Sequence, residues 1–314
     1  MIVKPENMNF TDKKFSMIIY GSPGVGKTTL ALSAPNPILM DFDNGVSRVS
    51  AVHRKDTSVC STYEEVLADV KSPAMRDYET VIIDTGGSFI TLLKDWAVRQ
   101  GGRNVTKGGG ISQSGYGTVK NEFASFTDML KTVYRKNVIY VFHSVEGADK
   151  DGNPIQRLMC EGATKNTVWT PCDFGGYVQM IGSNRKIFFT PEQEFYAKGS
   201  CGIVGEMDIP LLTESTSNNF VTLLFERARA NMKADNERFS GIREQYEKVM
   251  AQVREIVDGV NTVEDANAAA KSIPALEHAL TSKREASAAL KAKTDSLGLV
   301  WDKAAGGYVV REAQ

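Results

Sequence analysis

An apolar run, Phe15–Tyr20, leads directly into Gly21-Ser22-Pro23-Gly24-Val25-Gly26-Lys27-Thr28, and this junction restricts the fold of the chain more than any other feature. The spacing is G-x-x-x-x-G-K-T, with a strand before it and a helical stretch, Thr29–Ser33, after it. Glycines let successive backbone N–H groups turn inward around a phosphate, and the following helix adds its partial positive end. Gly21 through Thr29 therefore reads as a binding loop for the phosphates of ATP. Lys27 would reach the β- and γ-phosphates, and the Thr28 hydroxyl would ligate Mg2+. The plain alternative is a structural glycine turn, which would need neither the strand nor the helix.

Beyond this loop, short β-branched runs alternate with helical or loop patterns to about residue 210, which predicts an α/β fold with a mostly parallel sheet. Strands are expected at Phe15–Tyr20, Pro37–Asp41, Thr80–Asp84, Val138–Phe142, Tyr177–Ile181 and Lys186–Thr190. The last two, separated by Gly182-Ser183-Asn184-Arg185, read as a hairpin at the sheet edge, extended by a short strand Glu194–Lys198. From Asn219 the texture becomes charged, proline-free and helical over 220–257. A second helix is expected over 262–296, opened by Thr262 with Asp265 three positions on and closed by Gly298. An apolar tail, Leu299-Val300-Trp301 and Tyr308-Val309-Val310, surrounds Gly306-Gly307. The expected organisation is an amino-terminal arm 1–14, an ATPase core 15–219 and a helical appendage 220–314. Residues 221–314 hold 14 basic and 14 acidic side chains. That balance suits solvated helices, or an arm for a partner or for self-assembly.

Three strand ends carry candidate chemistry. Thr80-Val81-Ile82-Ile83-Asp84 closes in a carboxylate, from which an aspartate holds Mg2+, usually through water, unless it caps the next helix. Asp43, two residues beyond the second strand, is the candidate for orienting water against the γ-phosphate. Asp41 and Asp43 could instead shape an Asx turn before Gly45. His143, followed by Ser144, ends an apolar strand and is the candidate γ-phosphate sensor, or else it satisfies local backbone groups.

The order of these elements over roughly residues 15–205 resembles the RecA/RadA recombinase core, including the related phage single-strand-annealing ATPases. The resemblance implies a RecA-like core that hydrolyses Mg2+-ATP, with Asp43 activating water, Asp84 at the metal and His143 at the sensor. RecA itself has Glu at the first position and an Asn-Gln pair at the last. The resemblance also implies two DNA-binding loops. Gly101 to Gly117, with Arg103, Lys107 and Tyr116, falls at the first, and Val145 to Lys165, with Lys150 and Arg157, at the second. Long irregular segments in a compact domain are uncommon unless functional or disordered. Glycine N–H groups with Arg and Lys suit a phosphate chain, and Tyr116 could stack on a base. Mobile surface loops with scattered charge are the alternative. In Ala197-Lys198-Gly199-Ser200, Lys198 matches the first position of a basic motif that reaches a neighbouring subunit's ATP, while Ser200 replaces the second basic residue. Otherwise Lys198 is an edge-strand lysine that discourages aggregation.

The implied function is ATP-dependent assembly on single-stranded DNA in phage recombination or annealing. The assembly would be a homo-oligomeric ring or filament, with a single-strand DNA-binding protein as a further partner. The alternatives are a replicative helicase or loader, which an arm of about 14 residues leaves little room for, and a non-hydrolysing nucleotide-dependent scaffold or regulator. A small-molecule kinase would want an arginine-bearing lid, and no compact segment of that kind is visible. Lys plus Arg (37) nearly equals Asp plus Glu (38), so any DNA contact must come from local charge. Four cysteines without paired spacing read as reduced thiols. No apolar run approaches the roughly 20 residues of a membrane span, and MIVKPENMNF lacks a signal-peptide core. A cytoplasmic protein with no membrane partner is expected, in the bacterial host if phage-encoded.

Overall fold

The computed structural model describes residue 3, residues 8–160 and residues 167–311. The chain divides into two compact units, Phe10–Met232 and Lys233–Gln314 together with Met1–Asn9. The larger unit contains β1 (Ser16–Gly21), β2 (Pro37–Asp41), β3 (Thr57–Ser58), β4 (Thr80–Asp84), β5 (Asn137–Ala148), β6 (Pro154–Leu158), β7 (Phe174–Ile181), β8 (Asn184–Phe188) and β9 (Glu206–Ile209). Its helices are α1 (Lys27–Ala31), α2 (Tyr63–Lys71), α3 (Gly86–Arg99), α4 (Gln113–Asp128) and the first turns of α5 (Phe220–Asp258).

The strands lie in the order β3-β2-β4-β5-β1-β7-β8-β9, with β6 attached to β5. Every pairing from β3 to β7 along this path is parallel, and β8 and β9 add antiparallel. The central strands β1 and β4 are buried along their whole length, which is why they read as unbroken apolar runs. Alternate residues sort onto two faces. Ile18, Tyr20, Ile83 and Tyr140 pack with Tyr63, Phe89, Phe123 and Phe126 of α2–α4. Met17, Ile19, Ile82 and Val141 pack with Leu30, Val221, Leu224, Phe225 and Ala228. The Phe225 ring lies 5.2 Å from Phe15 and 6.1 Å from Phe174. The opening of α5 is thus part of the core, and the division falls inside α5 at Met232 rather than at 219. Phe10–Lys14 likewise belongs with the larger unit, where Lys13 pairs with Asp173 at 3.7 Å.

Several expectations are corrected. Val145 to Leu158 is not an irregular loop: β5 continues to Ala148, and β6 pairs with it antiparallel from Ser144↔Leu158 to Ala148↔Pro154. Glu161–Lys165 of that expected loop lie outside the described residues. Gly101 to Gly117 is also partly regular, with a 3-10 turn at Gly102–Asn104, a bridge Val105↔Ile111, and α4 beginning at Gln113. Glu194–Lys198 forms only isolated bridges at Phe195 and Lys198, and the strand added to the hairpin is β9.

In the smaller unit the expected helix 262–296 is two helices, α6 (Val263–Ser272) and α7 (Ser282–Ser296), separated by a 3-10 turn, Ile273–Ala275. Pro274 lacks the N–H that would continue α6. The capping box at Thr262 is present, with Asp265 N–H donating to Thr262 Oγ1 at 3.2 Å and Thr262 N–H to Asp265 Oδ2 at 2.9 Å. The apolar tail folds as a hairpin of β10 (Leu299–Asp302) and β11 (Gly307–Val310). Val249, Val253, Ala266, Ala286, Leu290 and Leu299 form this unit's core. Among the described residues no helix is long and apolar enough to cross a membrane.

Candidate active site

Sheet register brings the ends of four parallel strands level. Gly21 of β1 stands opposite His143 of β5, and Asp41 of β2 opposite Asp84 of β4. Between β1 and α1 the chain makes the tight phosphate-type loop, with Gly24 at φ 80° and Gly26 at φ 85°. That left-handed backbone favours glycine. Gly26 is the N-cap of α1, so Lys27, Thr28 and Thr29 occupy its first turn, and the helix expected over Thr29–Ser33 runs over Lys27–Ala31 instead.

Lys27 Nζ donates to Ser22 O at 2.8 Å and lies 3.3 Å from His143 Nδ1. Thr28 Oγ1 donates to Asp84 Oδ2 at 2.6 Å. The carboxylate of Asp84 does not cap the following helix. Thr85 does, its Oγ1 accepting from Ser88 N–H at 3.2 Å. A comparable division of labour separates the second pair of acids. Asp41 shapes the turn, accepting from the N–H groups of Gly45 at 2.8 Å, Val46 at 2.9 Å and Asp43 at 3.2 Å. Asp43 is thereby released from turn-making, and its Oδ1 accepts from Ser88 Oγ at 2.5 Å. Asp43, His143, Thr85, Ser88, Lys94 and Cys160 line a cavity of about 430 Å³ beside the loop.

Electrostatics follow from burial. Asp84 is pushed up to about 6, first by burial, with Asp41 and Asp43 adding repulsion against the Thr28 hydrogen bond and Lys27. Burial draws Lys27 down to about 8, opposed by Asp84. His143 is held below its ordinary value by burial and then by the Lys27 ammonium, which favours the neutral ring. Its Nδ1 faces an ammonium that can only donate, which leaves the ring proton on Nε2. The buried Asp84 carboxylate beside the Thr28 hydroxyl offers hard oxygens of the kind Mg2+ takes, while among the described residues no group of three or more His, Cys, Asp or Glu side chains is gathered to hold a metal.

A family model described as an AAA domain matches residues 13–201. The chain belongs to this AAA domain family. It is an AAA-type P-loop ATPase, and the matched span covers every site residue just described. A comparison with curated proteins finds no match. Among solved structures, one similar chain is described as a prototypical ATPase from the type III secretion system of pathogenic bacteria. It is 12% identical, with 89% of this chain and 81% of that chain covered and a TM-score of 0.38, too distant to inform function.

The AAA domain scatters the remaining sequence candidates. Arg103 and Lys107 are exposed near the 3-10 turn, and Lys150 and Arg157 are exposed on the β5–β6 hairpin. Tyr116 is half-buried in α4, with Lys94 Nζ 5.7 Å from its ring centre, so one expected stacking surface already has a cation near it. Lys198 is neither on an edge strand nor at the loop. Its Nζ donates to Cys172 O at 2.5 Å and Trp169 O at 3.4 Å, held by carbonyls of its own chain. Two residues escaped sequence reasoning. The Ser88 hydroxyl meets Asp43 from 45 positions away, and Arg185, near the start of β8, packs its guanidinium against Gly26. Neither sits in a motif, although an arginine beside a hairpin turn was a readable signal.

Proposed function

We propose that this AAA domain hydrolyses Mg2+-ATP and uses the cycle to change its grip on single-stranded DNA, as a homo-oligomeric RecA-like recombination or annealing protein of phage type. The observation that carries the catalytic half is the register of β1, β5, β4 and β2, which sets Lys27, His143, Asp84 and Asp43 around one point. Thr28 and Asp84 would hold Mg2+, which when bound supplies positive charge to the β- and γ-phosphate oxygens. Lys27 compensates charge on the same oxygens. Asp43, its carboxylate steadied by Ser88, orients water for in-line attack. Neutral His143 offers Nε2–H towards the γ-phosphate.

The DNA half is supported by the continuity of β5. One strand runs from His143 at the phosphate site into the hairpin that carries Lys150 and Arg157. A shift of the sensor position is therefore coupled through stiff backbone to the exposed hairpin. Lys198 is given no role at a neighbour's ATP, because its amine is engaged at home.

Turnover with and without single-stranded DNA, run beside a sizing measurement, tests the reading. Lys27→Ala should weaken Mg2+-ATP binding roughly a hundredfold or more, since charge-assisted bonds contribute about 1.5–3 kcal/mol each. Asp43→Asn should retain binding and lose about 10²–10⁴ in turnover. Undiminished ATP affinity in the first variant would remove the phosphate site. Wild-type turnover and size that ignore single-stranded DNA would remove the DNA half alone.

A further inference from the structure

Sheet order gives the nucleotide a direction. β5 and β4, with His143 and Asp84, lie on one side of β1, and β7 and β8 lie on the other. A triphosphate whose γ end meets His143 and Asp84 must send its nucleoside across the start of α1 towards β8. Arg185 stands there. Its guanidinium packs so tightly on Gly26 that a Cβ at that position would collide with Nη1. Among the described residues no side-chain hydrogen bond or ion pair engages this guanidinium. A half-buried cation set on the phosphate loop without a carboxylate partner is a feature that neither packing nor pairing within the chain accounts for.

Beside it lies a recess lined by Leu30, Ile209, Pro210, Leu212 and Phe220, with Asn218 at its rim. Asn218 Nδ2 donates to Thr29 O at 2.8 Å, which commits the donor end of that amide to α1 and leaves Oδ1 as an acceptor. The recess holds only about 20 Å³, about one water. A base would therefore lie across it as on a shelf, and the guanidinium would supply the second face. Planar and weakly hydrated, a guanidinium stacks well on aromatic rings.

Building on the phosphate-site reading, we propose that Arg185 and this recess form the nucleoside subsite. The base stacks between the guanidinium and the Pro210–Leu212 wall, and Asn218 Oδ1 accepts from an exocyclic amino group. The ligand class is an amino-bearing base such as adenine. Guanine, which presents a carbonyl oxygen at the corresponding position, is disfavoured because two acceptors would face each other.

The test is equilibrium titration of the full chain, in Mg2+, with ATP, GTP and inorganic tripolyphosphate, the last engaging the loop with no base. Arg185→Ala should weaken ATP about tenfold, within the range for losing one stacked base, and leave tripolyphosphate affinity unchanged. Arg185→Lys, which keeps the charge but not the plane, should show most of the same loss. Asn218→Ala should reduce the preference for ATP over GTP. Retained tripolyphosphate affinity also certifies that each variant is folded. Equal losses for ATP and tripolyphosphate would put the guanidinium on the phosphates and overturn the proposal, as would undiminished ATP affinity in Arg185→Ala. A wild-type chain that bound neither ligand would overturn the phosphate site itself, and the subsite with it.

Discussion

Asp84 and Lys27 are both buried in their charged forms, and their titration is the clearest chemical signature of the site. Asp84 is raised from 3.8 to about 6. A carboxyl whose folded value is raised lowers stability as pH climbs through that window, because the unfolded chain gives up the proton more readily. Lys27 is lowered from 10.5 to about 8, so its contribution to stability falls as pH drops through that window. Near neutrality both charges are present and both are costly, an arrangement that makes sense where a metal and a phosphate chain arrive to meet them. Mg2+-ATP affinity should therefore be greatest between about pH 6 and pH 8, falling by about tenfold per unit on either side as one proton is taken up or lost. Isothermal titration across pH reads this directly. The acid limb should vanish in Asp84→Asn, and an unaltered acid limb there would assign it to another group. The placement of Lys27 and Thr28 after the loop and of Asp84 at a strand end was legible in the sequence because local spacing fixes it. Ser88 and Arg185 were not, because each acts on a residue distant in the chain.

At the scale of elements, the strand that matters most is β5. Its apolar half was plain as Val138–Phe142, but its outer half is exposed from Val145 and punctuated by Gly147, so the pairing with β6 stayed hidden behind the turn residues Gly152 and Pro154. Sheet hydrogen bonding, not burial, keeps that half extended. The turn is closed by Asp149, whose Oδ1 accepts from the N–H groups of Asp151 and Asn153, each at 2.8 Å. Acidic residues thus share the hairpin with Lys150 and Arg157, and any contact with DNA must come from the cations individually. Arg103→Ala combined with Arg157→Ala should weaken single-strand binding. It should also flatten the salt dependence by about 0.7 in the log–log slope for each phosphate that is no longer neutralised. Filter binding at several salt concentrations measures both, and an unchanged slope would take the DNA surface away from these elements. The split of the expected helix at Pro274 shows a similar limit, since an Ala- and Lys-rich pattern on both sides masked one proline.

For the whole molecule, ligand linkage offers the broadest check. A nucleotide that binds only the folded chain adds about 2.7 kcal/mol at a hundred times its dissociation constant. Mg2+-ATP should raise the midpoint of unfolding accordingly, and Lys27→Ala should abolish the rise. Differential scanning fluorimetry reports it, and an equal rise in the variant would mean that nucleotide binds elsewhere. The large unit that carries this site is one body from Phe10 to Met232, with the opening of α5 built into its core through Val221, Leu224 and Phe225. The division therefore falls where α5 stops burying apolar residues against the sheet, not where the composition changes. By itself the sequence determined a phosphate loop between a strand and a helix, an α/β sheet, and the carboxylates at its strand ends, because these depend on residues adjacent in the chain. Only the tertiary structure decided that β5 stands between β1 and β4, that Asp41 rather than Asp43 makes the turn before Gly45, and that Arg185 packs against Gly26. Strand order and register are set by packing between distant segments, which no local pattern encodes.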